Sequence, residues 1–193
     1  MERAAMRQRL FKIVPIVGAF ALGAVIAGMA AGQPGGGGGV RTQSTPGAQH
    51  EALTKLAGEY TTASKLILSE GADPFESDGT AKVSAILEGR FIVIEEAGET
   101  LGVPFKCQRF FGYNSATGKY EAVTMFTSST AMTTLSGKSP DGGKSVRLEG
   151  GFEDEDGKTK YTVELTFGDA SSFGIVQISM NADGTPGARV ETM

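Results

Sequence analysis

Period-two hydrophobic patterning over most of the chain predicts an all-β protein, an antiparallel up-and-down barrel of about nine or ten strands preceded by one short helix. Three observations carry that expectation. From Glu59 onward apolar and polar residues alternate, most clearly where Tyr161, Val163, Leu165 and Phe167 are set against Lys160, Thr162, Glu164 and Thr166. This is the pattern of a sheet with one buried and one wet face. Turn chemistry recurs at short intervals, at Asn114 to Gly118, Gly142-Gly143, Asp156-Gly157 and Asp183-Gly184, and joins neighbouring strands as hairpins. Helical spacing is confined to one stretch near His50. A meander of hairpins closes most simply into a barrel, because closure leaves no strand edge unpaired.

The chain begins with a segment of a different kind. Arg3, Arg7, Arg9 and Lys12 precede Ile13 to Ala31, which carries no charge and ends in the small-residue runs Gly28-Met29-Ala30 and Ala30-Ala31-Gly32. Residues 1–32 are therefore expected to be a cleaved secretory signal peptide. The alternative is an uncleaved N-terminal anchor, since about 17–25 apolar residues can span a bilayer. Residues 33–47 are rich in Gly, Pro, Ser and Thr, including the run Gly35 to Gly39, and are expected to form a disordered Gly-rich linker. No strand precedes that run and no Lys-Ser or Lys-Thr follows it, so it is not read as a phosphate-cradling loop. Residues 48–193 form the barrel domain and are enough for one real core.

Within it, Ala48 to Ala57 places His50, Leu53 and Leu56 on one helical face, with Gly58 as a stop. Strands are expected from Glu59 to Ser69, before Ala72-Asp73-Pro74 breaks the run, and then over Thr80–Leu87, Arg90–Glu96, Val103–Tyr113, Tyr120–Ser128 and Thr130–Ser136. After Asp141-Gly142-Gly143 come Val146–Phe152, Tyr161–Phe167, Phe173–Met180 and Ala188–Thr192. The stretches from Glu88 to Ala97, Pro104 to Tyr113 and Lys119 to Phe126 hold the densest aromatic and β-branched content and form the centre of the fold.

Charge and cysteine usage bound the function. Without residues 1–32, which carry four cations and one acid, the 18 basic and 22 acidic residues fall to 14 and 21, a formal charge of −7. Such a surface disfavours nucleic acid as a partner. Membrane contact is expected only if the leader stays attached. The one cysteine, Cys107, forbids an intramolecular disulfide and is read as a small core residue.

The motifs Leu56-Ala-Gly-Glu-Tyr60, Gly89-Arg90-Phe91, Gly102-Val-Pro-Phe105 and Phe111-Gly-Tyr-Asn114, together with His50-x-x-Leu53, resemble the bacterial domain-of-unknown-function family 1579 over about Gln49 to Glu153. Tyr60 stands where that family usually has Trp, and Asn114 where it usually has Asp. The strand after the turn carries Thr124-Met-Phe-Thr127 in place of the usual Trp and Asp. No activity is established for the family, so the resemblance implies fold rather than function. Gly58-Glu59-Tyr60 is also similar to the Gly-x-Trp that opens the first strand of lipocalin-like, or calycin-like, barrels. There the aromatic closes one barrel end beneath an arginine, a place that Arg90 or Arg189 would take through a cation–π contact.

Few residues can carry chemistry. His50 is the single histidine, expected to be solvated on its helix, and a catalytic triad would have to recruit it from outside the barrel. Ser172, in Ala170-Ser-Ser-Phe-Gly174, lacks the strand-to-helix context of a nucleophile elbow. One His and one Cys far apart supply half of a structural zinc site, and haem has no well-placed axial ligand. Glu153-Asp-Glu-Asp-Gly157 is most simply a hairpin turn, because Lys158 and Lys160 occupy positions a calcium loop would give to oxygen ligands. No cofactor, metal or catalytic residue is expected.

Arg109 is the informative exception. It alternates with Phe105, Cys107, Phe111 and Tyr113 and so faces the interior, where a charge must be paired. The structural reading is an internal ion pair with a Glu such as Glu88 or Glu95, or a register break that turns the side chain outward. The functional reading is an anchor for an amphiphilic carboxylate, with Tyr113 nearby and walls of Phe91, Phe105, Phe126 and Met125. The function expected is thus an exported, non-enzymatic barrel that binds a small apolar or amphiphilic ligand. One alternative is a hydrolase or isomerase using Glu88 or Glu95 with Tyr113; the other is a filled barrel serving structure or interaction alone.

Overall fold

The computed structural model describes residues 45–154, 157–168 and 172–193. Helix α1 (Ala48–Thr54) leads into ten strands: β1 (Gly58–Ile67), β2 (Phe75–Ile86), β3 (Phe91–Thr100), β4 (Val103–Asn114), β5 (Lys119–Phe126), β6 (Thr133–Lys138), β7 (Ser145–Asp154), β8 (Gly157–Phe167), β9 (Phe173–Met180) and β10 (Pro186–Thr192). Each strand pairs antiparallel with its neighbours in chain order. β10 returns to β1, with Ser64 opposite Thr192 and Leu66 opposite Val190, so the sheet is a closed up-and-down barrel. All ten expected strands are present. The expected signal peptide, linker residues 33–44, the tip of the acidic turn (155 and 156) and residues 169–171 before Ser172 lie outside the described residues.

Turns explain the registers. Leu101 and Gly102 both have positive φ, the requirement of a two-residue type I′ hairpin turn, and Thr100 sits opposite Val103. From that point the β3–β4 register follows: Glu96 faces Cys107 and Ile94 faces Arg109. At the other end of β4, the Asn114 side-chain oxygen accepts from the backbone N–H of Ala116 and of Thr117, an Asx-type turn. Close packing at the β6–β7–β8 corner depends on missing side chains. A Cβ on Gly137, Gly150 or Gly151 would collide with the carbonyl oxygen of Arg147, Thr134 or Thr159 respectively.

The core fills one end of the barrel. Ile92, Ile94, Phe111, Leu148, Val146 and Val163 are almost wholly buried on the inner face, and α1 packs against β2, β3 and β4 at that end. The helix is shorter than expected, ending at Thr54, but Leu53 and Leu56 still enter the core as its spacing requires. Burying one such side chain contributes about 1.5–3 kcal/mol. Among the described residues no helix is long and apolar enough to cross a membrane.

His50 corrects the sequence reading: it is 6% exposed, not solvated. Its Nδ1 accepts the Gly47 N–H (3.1 Å), so Nε2 carries the proton and donates to the Tyr113 carbonyl (3.0 Å). One ring thus satisfies the N-terminus of α1 and ties it to β4. Tyr113 meets that ring edge-on and packs at a tilt against Tyr120, which in turn stacks on Phe111. Tyr60 likewise belongs to this end. Its hydroxyl donates to the Leu56 carbonyl (2.7 Å) and its ring packs against Phe173, where an arginine was expected. Arg90 instead bonds Glu88, and Arg189 bonds Glu191; β10 turns Arg189 to the outside because Val190 and Thr192 face in.

Candidate functional site

The other end of the barrel has a different lining. Inward positions there hold Ser64 and Leu66 on β1, Ser77 on β2, Gly98 on β3, Phe105 on β4 and Phe126 on β5. Phe152, Tyr161, Gln177, Val190 and Thr192 complete the circuit on β7 to β10. All of these side chains remain only half-buried, although the pleat aims them at the barrel axis. Partly exposed inward residues mean that side chains do not fill that end as they fill the other. Around the same end, Leu68, Phe75, Leu101, Val103 and Met132 are exposed. They stand at strand ends or in the adjoining turns and make an apolar rim.

Arg109 lies between the filled and open halves. It is 5% exposed, and its Nε donates to Thr124 Oγ1 (3.2 Å) on β5. Its Nη1 is 3.5 Å from Glu96 Oε2, close enough for charge compensation. The geometry there is not that of a hydrogen bond, and Nη1 is a buried donor without an acceptor. A charged donor left this way costs more than the about 1–3 kcal/mol of a neutral one. Cys107 adjoins the pair. Burial, with an opposing pull from the Arg109 guanidinium and a push from the Glu96 carboxylate, raises its thiol pKa to about 12. The thiol is therefore protonated and unreactive at neutral pH.

The ion pair expected of Arg109 exists with a different acid. Glu95 points out of the barrel and accepts from Gln108 Nε2 (3.2 Å). Glu88 sits in the β2–β3 turn, paired with Arg90. Glu96, one residue on from Glu95, shares the inner face with Ile92 and Ile94. The expected strand had stopped at Glu96, whereas β3 continues to Thr100; the register set by the Leu101-Gly102 turn was the available signal. Glu88, Glu95 and Tyr113 occupy a turn, the outer face and the filled end, so they do not converge as an acid–base set.

Of the expected walls, Phe105 and Phe126 face the interior, Phe126 directly opposite Cys107 and Phe105 two residues before it on β4. Phe91 and Met125 do not, and here the structure corrects the sequence reading. Phe91 lies across the outer face over Gly112, where a Cβ would strike its ring, and borders an open groove of about 600 Å³ with Phe110 and Val123. Met125 opposes Gln108 on the outside and lines a cleft of about 500 Å³. Each adjoins an inward residue in sequence, and a single-residue offset inverts the face. Tyr113 faces in, but at the His50 end, about 13 Å along the strand from Arg109 at roughly 3.3 Å per residue. Lumen residues not anticipated are Glu96, Thr124 and the stacked pair Phe152 and Tyr161, with ring centroids 6.0 Å apart.

Among the described residues no group of three or more His, Cys, Asp or Glu could hold a metal. The fold defines a calycin-like closed barrel with a helix packed at one end, half-buried inward residues at the other and a buried Arg–Glu pair between them. The chain belongs to the family described as "Protein of unknown function (DUF1579)", whose profile matches residues 45–193. The match runs through the last strand, beyond the Gln49 to Glu153 stretch carried by the motifs. No curated protein matches the chain.

Proposed function

We propose that this protein is an exported, non-enzymatic carrier that holds one small amphiphilic molecule in the open half of its barrel, polar end toward Arg109. The observation that carries the reading is the buried Arg109 Nη1 without an acceptor, facing a lumen whose inward residues stay half-buried. A ligand oxygen would relieve that donor, and Phe105, Phe126, Phe152 and Tyr161 would cover an apolar body. The exposed rim of Leu68, Phe75, Leu101, Val103 and Met132 suits the passage of an apolar molecule. Export is supported by the basic-then-apolar pattern of residues 1–32.

The test separates lumen from outer groove. An environment-sensitive apolar dye is expected to bind one per protein. Val190→Arg, which places a long charged chain in the lumen, should abolish that binding, and Phe110→Ala, on the outer groove, should leave it unchanged. Absence of dye binding, or loss with Phe110→Ala alone, would refute the reading. The mass of the secreted protein checks the export half: it should begin just after Ala30 or Gly32, and an intact N-terminus would contradict cleavage.

A further inference from the structure

We infer that the polar end of the bound molecule is an uncharged oxygen group, a hydroxyl, ester or amide, and not a carboxylate. The inference rests on the lumen-binding reading above and specifies its ligand. An arginine inside a barrel invites an anionic partner, but here the anion is already built in. Glu96 lies 3.5 Å from Arg109, and both side chains are almost fully buried, so the floor of the lumen is close to neutral. A ligand carboxylate would bring a second negative charge to one guanidinium in a water-poor site. Like charges so placed disfavour ionisation of one of them, and desolvation adds to the cost.

The unmet demand at the floor is for an acceptor, not for a charge. Arg109 Nη1 has a proton and no acceptor. Thr124 Oγ1 accepts from Arg109 Nε, which leaves its own hydroxyl proton free to donate. A carbonyl or hydroxyl oxygen takes either proton and adds no charge. The adjacent Cys107 thiol stays protonated and supplies no competing anion. The rest of the open half agrees: Ser64, Ser77, Gln177 and Thr192 are neutral.

A matched series of one saturated chain ending in hydroxyl, primary amide or carboxylate, measured by calorimetry at pH 8 where the acid is ionised, tests this directly. The wild type should bind the alcohol and amide at least roughly tenfold tighter than the acid, a difference of about 1.4 kcal/mol. Glu96→Gln, which keeps the shape of the side chain but removes its charge and so frees that of Arg109, should reverse the order. The wild-type ranking decides even if that variant folds poorly. An acid that binds tightest to the wild type, or three equal affinities, overturns the inference while leaving lumen binding intact. If no member of the series binds and the apolar dye also fails, the lumen reading falls and takes the inference with it.

Discussion

Toward α1 the inner face holds Ile92, Ile94, Phe111, Leu148 and Val163 with almost no exposure, and the helix closes that end with Leu53 and Leu56. Toward the other end the same ten strands present Ser64, Phe105, Tyr161, Gln177 and Thr192, all half-buried. All ten strands pair in both halves, with one register shift between Pro186 and Arg189 on β10, so the difference lies mainly in side chains and the plug. The filled half holds the barrel together by apolar burial. The open half contributes less to stability and carries hydroxyls, an amide and a charged pair, which a core built only for stability has no reason to contain. Arg109 marks the border, with Phe111 on its filled side and Phe105 on its open side along one strand.

The largest effect expected is at that border. Arg109→Ala or Glu96→Ala alone leaves a buried charge uncompensated and should destabilise the protein by about 3–5 kcal/mol. Replacing both, as Arg109→Met with Glu96→Leu, should restore stability to near the wild type or above it. Urea melts of the two singles and the double give the coupling directly. If the double is as unstable as the singles, the pair serves the core and the division into halves is wrong.

Next in size, Leu53→Ala in the plug should cost about 2–5 kcal/mol. Val190→Ala, an apolar truncation of half-buried lumen wall, should cost less than about 1.5 kcal/mol, since little cavity forms where solvent already reaches. Thermal melts compare them, and equal losses would show that the open end is packed as tightly as the filled one.

The last effect concerns Cys107 and is nil at neutral pH. Its pKa is raised from an ordinary 9.0 to about 12, so the folded thiol holds its proton where the unfolded thiol gives it up. The resulting stability is fully present below pH 9 and is lost as pH rises through that window toward 12. Relative to the wild type, Cys107→Ala should therefore lose less stability between pH 9 and pH 11. Iodoacetamide should modify the native wild type far more slowly than the urea-unfolded chain. Rapid native labelling would mean that solvent from the open half reaches the pair.

Parity along each strand was legible without the structure. Arg109, Phe105 and Phe126 face inward as alternation requires, because successive side chains point to opposite faces of a pleated strand. Phe91 and Met125 adjoin the inward residues Ile92 and Phe126, and the same alternation turns them outward. Glu96 was hidden for a related reason. Gly98 and the acids around it look like the end of a strand, and Leu101 is not a residue that advertises a turn with positive φ. His50 was misjudged because a polar side chain near a Gly-rich segment reads as solvated. Its hydrogen bond to Gly47 is local, but the one to Tyr113 joins residues separated by 63 positions.

The amino-acid order by itself determined the period-two strands, the turns between them, the inward placement of Arg109 and hence an all-β closed meander, since all of these follow from geometry within a few residues. Only the tertiary structure decided that Glu96 rather than Glu95 meets Arg109, that α1 fills one end, and that inward residues at the other end are only half-buried. Those outcomes depend on register across strands and on how far a seven-residue helix can reach into a lumen, and neither quantity is encoded in any one local stretch of sequence.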